Sequence, residues 1–145
     1  MDVVADLAAP CLPEELFEWV GDLGRYPEWL GIVERSEAQA DEEDGSPAWL
    51  VDLRGRLGPL ARSKRLHMVR TERSGTGVTF ERRERDGRHH SPWLLRADVA
   101  PNAEGSVLTM RLHYGGSLWG PVLERLLREE IVRSRARLLE RVAGR

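Results

Sequence analysis

The strongest constraint on this chain is a change of hydrophobic period along it. From Trp49 to Tyr114 apolar residues recur every second position. From Ser117 onward they recur at helical spacing. Trp49, Val51 and Leu53 alternate with Leu50, Asp52 and Arg54. Leu66 and Met68 share one face of the next strand, expected over Leu60 to Thr71. Val78 and Phe80 open another. Trp93, Leu95, Ala97 and Val99 alternate with Leu94, Arg96 and Asp98. Leu108, Met110, Leu112 and Tyr114 alternate with Thr109, Arg111 and His113. Turn residues separate these runs: Gly55, Gly58 and Pro59, then Ser74 to Gly77, then Asp86-Gly87, then Pro101 to Gly105. Sequential strands with short turns imply an antiparallel meander.

Two further regions complete the pattern. At the start, Val3 to Ala8 reads as a strand. Pro13 suits the first turn of a helix carrying Leu16, Phe17 and Val20 on one side. A second short element, Arg25 to Leu30, follows, and then a strand over Ile32 to Ala38. At the end, Ser117 is a candidate N-cap for a helix running to about Val142, with Leu123, Leu127, Ile131, Leu138 and Val142 as its apolar stripe. Each strand has an apolar face to bury, and only this helix is long enough to cover them. The expected class is α+β. A curved antiparallel sheet of six to seven strands wraps a long C-terminal helix, with two short helices after the first strand. Residues 1–145 read as one domain.

Composition excludes several function classes. Net charge is -2 across 145 residues, so no bulk field draws nucleic acid. The arginines of the last helix alternate with glutamates, as on a solvated face. No apolar run approaches the roughly 18 residues that span a bilayer, so stable membrane insertion is not expected. The first residues lack the pattern of a signal peptide, and the expected compartment is the cytoplasm. The lone Cys11 excludes an intrachain disulfide and reads as a small filler. Adjacent His89 and His90 point to opposite faces of a strand, and no metal ligand set is visible. There is no phosphate-binding loop and no Gly-x-Ser-x-Gly elbow. No cofactor is expected.

The stretch Asp6 to Pro10, Leu16-Phe17, and Asp22-Leu23-Gly24-Arg25-Tyr26-Pro27-Glu28-Trp29-Leu30 resembles the opening of the START-like superfamily. This is the polyketide cyclase/dehydrase and lipid-transport group, also called SRPBCC or Bet v 1-like. The Leu108-Thr109-Met110-Arg111-Leu112 strand, the glycine pair and the long final helix extend the resemblance over the whole chain. It implies a helix-grip fold with a ligand cavity between sheet and helix. Members include aromatase/cyclases, lipid and hormone binders and ubiquinone-binding chaperones, so the fold does not supply the activity.

If the apolar strand faces look inward, the cavity wall comprises Trp49, Val51, Leu53, Leu66, Met68, Phe80, Trp93, Leu95, Met110, Leu112 and Tyr114. Leu123 and Leu127 approach from the helix. Trp29, Trp93 and Trp119 are placed near a mouth. Tyr26 and Tyr114 are candidate hydrogen-bond donors to a ligand oxygen. Continuing the alternation puts Arg82, Glu84, His89 and Ser91 at one end of the cavity. There His89 could act as a base and Arg82 could hold an enolate or carboxylate oxygen. The same residues also read as a charged, solvated hairpin. A one-residue shift at Pro92 would exchange His90 for His89. His67 and His113 fall opposite the apolar positions and are expected at the surface.

The leading expectation is a binder or carrier of a small hydrophobic molecule, aromatic, polyketide-like or quinone-like. The first alternative is a polyketide cyclase or dehydratase using Tyr114, His89 and Arg82. The second is a module that docks a protein partner.

Overall fold

The computed structural model describes residues 1–54, 64–115 and 120–144, without the side chains of residues 120, 122 and 123. Among the described residues seven strands form one antiparallel sheet: β1 (Asp2–Ala9), β2 (Val33–Gln39), β3 (Ala48–Leu53), β4 (Lys64–Arg73), β5 (Gly77–Arg82), β6 (Trp93–Asn102) and β7 (Gly105–Tyr114). Their spatial order is β1-β7-β6-β5-β4-β3-β2. Every strand but β1 neighbours the next in sequence, and β1 closes onto β7 through Val3↔Leu112 and Leu7↔Leu108. Register shifts between Val33 and Arg35 in β2 and between Arg70 and Glu72 in β4 each insert an extra residue. Such bulges bend and twist a strand, which curves the sheet.

The concave face carries the core. Val3, Ala5 and Leu7 of β1, Trp93, Leu95 and Ala97 of β6, and Leu108 and Met110 of β7 are buried at alternate positions, as the sequence period requires. Two short helices join β1 to β2: α1 (Pro13–Val20) and a 3₁₀ segment, η1 (Leu23–Glu28). Asp22 caps η1 by accepting a hydrogen bond from Gly24 N at 2.9 Å.

The expected long terminal helix is present and is bent at Ser134 into α2 (Gly120–Arg133) and α3 (Arg135–Ala143). Ser134 causes the break. Its Oγ donates to Glu130 O at 2.8 Å and accepts from Gly31 N at 3.0 Å. Bonding back to the i−4 carbonyl bends a helix, and the tie to Gly31 anchors the bend to the segment after η1. Leu127 and Ile131 of α2 and Leu138 and Val142 of α3 are all buried. Arg128 and Arg135 donate to Val4 O and Ala8 O of β1. These arginines occupy carbonyls of an edge strand that would otherwise be open to pairing.

Three other expectations change. Asp86-Gly87 lies between two strands that do pair, β5 and β6, but it is not a two-residue hairpin turn. β5 ends at Arg82 and β6 begins at Trp93, so residues 83–92 form a long loop. Pro92 has no N–H to give the ladder, which sets the start of β6. Gly87 still turns, with φ +72°. Pro101 to Gly105 is a tight hairpin instead of a loop, because Asn102 pairs with Gly105. His67 is buried, its Nδ1 2.8 Å from Arg83 O. Arg83 and Glu84, at the start of the 83–92 loop, hold it, with His67 N donating to Glu84 Oε1 at 3.0 Å. His113 is half-exposed against Asp2, as expected for a surface residue. The Ser117 cap, the bend at Gly58-Pro59 and the first part of the Leu60–Thr71 strand lie outside the described residues.

Candidate functional site

Between the concave sheet face and α2 lies an apolar cavity. β3, β4, β6 and β7 contribute Val51, Leu53, Leu66, Met68, Trp93, Leu95, Met110 and Leu112. Tyr26 of η1 and Leu30 just after it line one side, and Leu127 and Ile131 of α2 another. This follows from register. Val51↔Leu66 and Leu95↔Leu112 are cross-strand pairs on one face, so their side chains meet. Its volume is about 60 Å³ of room for the centres of water-sized spheres. Pockets for drug-sized ligands measure about 300–1,000 Å³. In this conformation the cavity fits a small fragment, and a larger guest requires the helix and sheet to separate.

Several wall residues expected from the sequence fall elsewhere. Phe80 is fully buried but packs edge-on between Tyr26 and Trp49, at 6.1 and 5.5 Å between ring centroids. Trp49 faces an open surface groove beside α1. That groove is larger, about 440 Å³, yet it is lined by Glu14, Asp22, Arg70 and Arg73 and open to solvent, which suits water better than an apolar guest. Trp29 is not at a mouth. It is fully buried, and its indole donates to Trp19 O at 3.2 Å. Trp119 and the Leu123 side chain lie outside the described residues.

The tyrosines differ. Tyr26 is fully buried, and its hydroxyl donates to Val20 O at 2.7 Å. That bond already uses its proton. Burial, with the Asp22 charge nearby, pushes its phenol far above the ordinary range, so it stays neutral. Tyr114 packs against Trp93 with ring centroids 4.6 Å apart, at the end of β7.

The polar end is organised around Arg82. Arg82 pairs with Met68 across β4–β5, which puts it on the concave side. Its side chain is only 9% exposed. The guanidinium donates to Glu84 Oε1 at 3.0 Å and to Ser91 O at 3.2 Å, and lies 3.4 Å from His90 Nδ1. The histidine in this cluster is therefore His90, whose Nε2 also meets Asp86 at 2.8 Å. The expected inward placement of His89 is corrected: it is exposed on the loop. Alternation counted back from Trp93 does not reach it, because the strand stops at Pro92. Arg82 and Tyr114 lie at the same end of the sheet, and His89 does not join them.

A residue absent from the sequence expectations belongs here. Lys64 sits two positions before Leu66 on β4, on the same face. Its Nζ is 5.8 Å from the Trp93 ring centroid and 5.7 Å from that of Tyr114. The period-two pattern extended back from Met68 would have found it. Among the described residues no group of three or more metal-binding side chains occurs, and no helix is long and apolar enough to cross a membrane. Cys11 is half-buried with Sγ 3.8 Å from Ser106 Oγ.

An antiparallel seven-stranded sheet wrapped on a bent terminal helix, with an apolar cavity between them, is a recognisable arrangement. Residues 2–145 match the family described as polyketide cyclase / dehydrase and lipid transport. The chain belongs to this family. Solved structures agree on the fold. The crystal structure of TTHA0849 from Thermus thermophilus is 19% identical with a TM-score of 0.76, over 99% of this chain and 98% of that one. A START superfamily protein from Mycobacterium smegmatis is 18% identical with a TM-score of 0.71, over 99% and 97%. The di-domain ARO/CYC StfQ of the steffimycin biosynthetic pathway is 15% identical with a TM-score of 0.66, over 99% of this chain and 52% of that one. No curated protein matches the sequence. At these identities the likeness to solved structures is one of fold. As a member of the family, the chain has the helix-grip architecture in which a sheet and helix hold a cavity.

Proposed function

We propose that this family member binds a small hydrophobic molecule, aromatic, polyketide-like or lipid-like, in the cavity between sheet and α2. The observation that carries this reading is the wall itself. Fifteen residues line the cavity, and each presents apolar atoms to it. A void of that kind stays dry and accepts an apolar guest. Membership of a family described by cyclisation and lipid transport supports the same reading. So does the presence of a START superfamily protein among the fold relatives. The mixed charges of the remaining surface suit a protein of the cytoplasm. The reading makes Trp93 a reporter, because it forms part of the wall.

The test is native mass spectrometry of the purified protein, followed by a tryptophan-fluorescence titration with alkanols, naphthalene derivatives and short quinones. A saturable change with at least one apolar class is expected. A flat response across the panel, from a protein that carries no small molecule, would overturn the reading.

A further inference from the structure

The two edges of the sheet differ. β1 ends it on one side, and there Arg128 and Arg135 donate to Val4 O and Ala8 O. β2 ends it on the other. Glu34, Arg35, Glu37, Ala38 and Gln39 of β2 are exposed, and Ser36 is half-buried. Among the described residues, the backbone of 34–39 bonds to β3 and otherwise only to the Gln39 side-chain amide, 3.4 Å from Glu37 O and 3.2 Å from Ala38 O. No proline interrupts the strand. Such an edge pairs with a further strand unless its side chains forbid it.

The side chains of β2 select a partner. Arg35 lies opposite Asp52, and Asp52 opposite Arg65. This row runs on the face away from Val51 and Leu53, which line the cavity. It reads positive, negative, positive as it reaches the edge, so a negative charge suits the next position. Glu37 is two residues along on the same face and pairs with Arg35 of its own chain. A second copy of β2, turned antiparallel about Ser36, sets its Glu37 opposite Arg35 and its Arg35 opposite Glu37. Centring the pair on Arg35 or on Glu37 sets like charges face to face, which is destabilising. A slip of one residue opposes Glu34 to Glu37 in one direction and Arg35 to the neutral Ala38 in the other.

We propose that β2 is a self-association edge, at which two copies of this chain pair antiparallel through residues 34–38, centred on Ser36 and joined by reciprocal Arg35–Glu37 pairs. The register shift between Val33 and Arg35 bends the strand and bounds the pairing at that end. So short a contact belongs with weak, reversible interfaces. The inference concerns an outer surface and does not depend on what the cavity holds.

The test is sedimentation equilibrium of the full chain from about 1 μM to about 1 mM, a span that covers weak association. A reversible monomer–dimer equilibrium is expected. Arg35→Glu and Glu37→Arg each oppose like charges across the strand pair, and each is expected to weaken self-association at least about tenfold. An equal mixture of the two variants opposes unlike charges at both positions again, and is expected to recover the native affinity. Both residues are exposed, so circular dichroism should show each variant folded. A native chain that stays monomeric throughout, variants that dimerise as the native chain does, or a mixture that stays monomeric would each overturn the inference, and all three leave the cavity reading standing.

Discussion

Leu127→Ala tests whether α2 and the sheet truly enclose a shared void. Leu127 is 1% exposed and lines the cavity from the helix side. The substitution removes three buried carbons, about 2.4 kcal/mol at roughly 0.8 kcal/mol per methylene. The lining has little freedom to close over the gap. β4, β6 and β7 are held in ladders on both sides, and α2 is tied to β1 through Arg128. If about 40 Å³ of new void persists, at about 24 cal/mol per Å³ it adds roughly 1 kcal/mol. The expected loss is therefore about 3–4 kcal/mol, within the span measured for comparable Leu→Ala changes. The new void joins the existing one, so an alkanol should bind the variant more tightly than the native protein. At a hundred times its dissociation constant it should return about 2.7 kcal/mol. Urea unfolding with and without octanol reads both quantities, and an unchanged slope confirms that the comparison is two-state. A loss below about 1 kcal/mol would mean that Leu127 is not packed against this core. A full loss with no gain in octanol affinity would mean that the space it vacates is sealed from the cavity. Either result refutes the enclosure.

Three other perturbations probe the frame around the site. Gly105 has φ +142°, and a Cβ there would lie 2.6 Å from Ala9 O and 2.7 Å from Cys11 N. Gly105→Ala should thus cost at least the ~1–3 kcal/mol of such a conformation, and a change in thermal midpoint too small to measure would refute the assignment. Ser134→Ala strips the acceptor from Gly31 N, so about 1–3 kcal/mol should be lost. The Gly31 amide should then exchange faster with solvent, and unchanged protection would show that another acceptor holds it. Asp52 is held below the usual carboxylate range chiefly by its hydrogen bond to Arg65 at 2.7 Å. Its folded pKa is depressed, so its contribution is complete above the unfolded value of about 3.9 and fades as pH falls through the folded value. Because Arg65 is largely exposed, that contribution is at most about 1 kcal/mol. Asp52→Asn should flatten the acid limb of a stability–pH curve slightly, and an identical limb would remove the pair from the account.

The period of two carried most of the architecture. Trp93, Leu95 and Ala97, or Leu108 and Met110, could be assigned to the buried face without any knowledge of their partners, because alternation is a property of a single strand. What alternation could not supply was where a strand ends. Asp86-Gly87 has the chemistry of a two-residue hairpin, but Pro92 forbids the pairing that such a turn would need. The resulting loop moves His89 into solvent and brings His90 to Arg82. The same loop buries His67, a position that strand pattern alone assigns to the surface. Trp29 was misplaced for a related reason: its environment is set by Trp19 O, ten residues away, and nothing in the local pattern shows that contact. The break at Ser134 depends on Gly31, a hundred residues earlier in the chain.

A sequence that served only its own stability would fill the space between Leu66, Leu95 and Leu127 with larger side chains. Instead an unfilled apolar volume lies between α2 and the sheet, while Leu16 and Trp29 elsewhere in the core sit at zero exposure. A departure of this kind is expected where function overrides local consistency. A small apolar guest would fill that volume and supply the contacts its lining lacks.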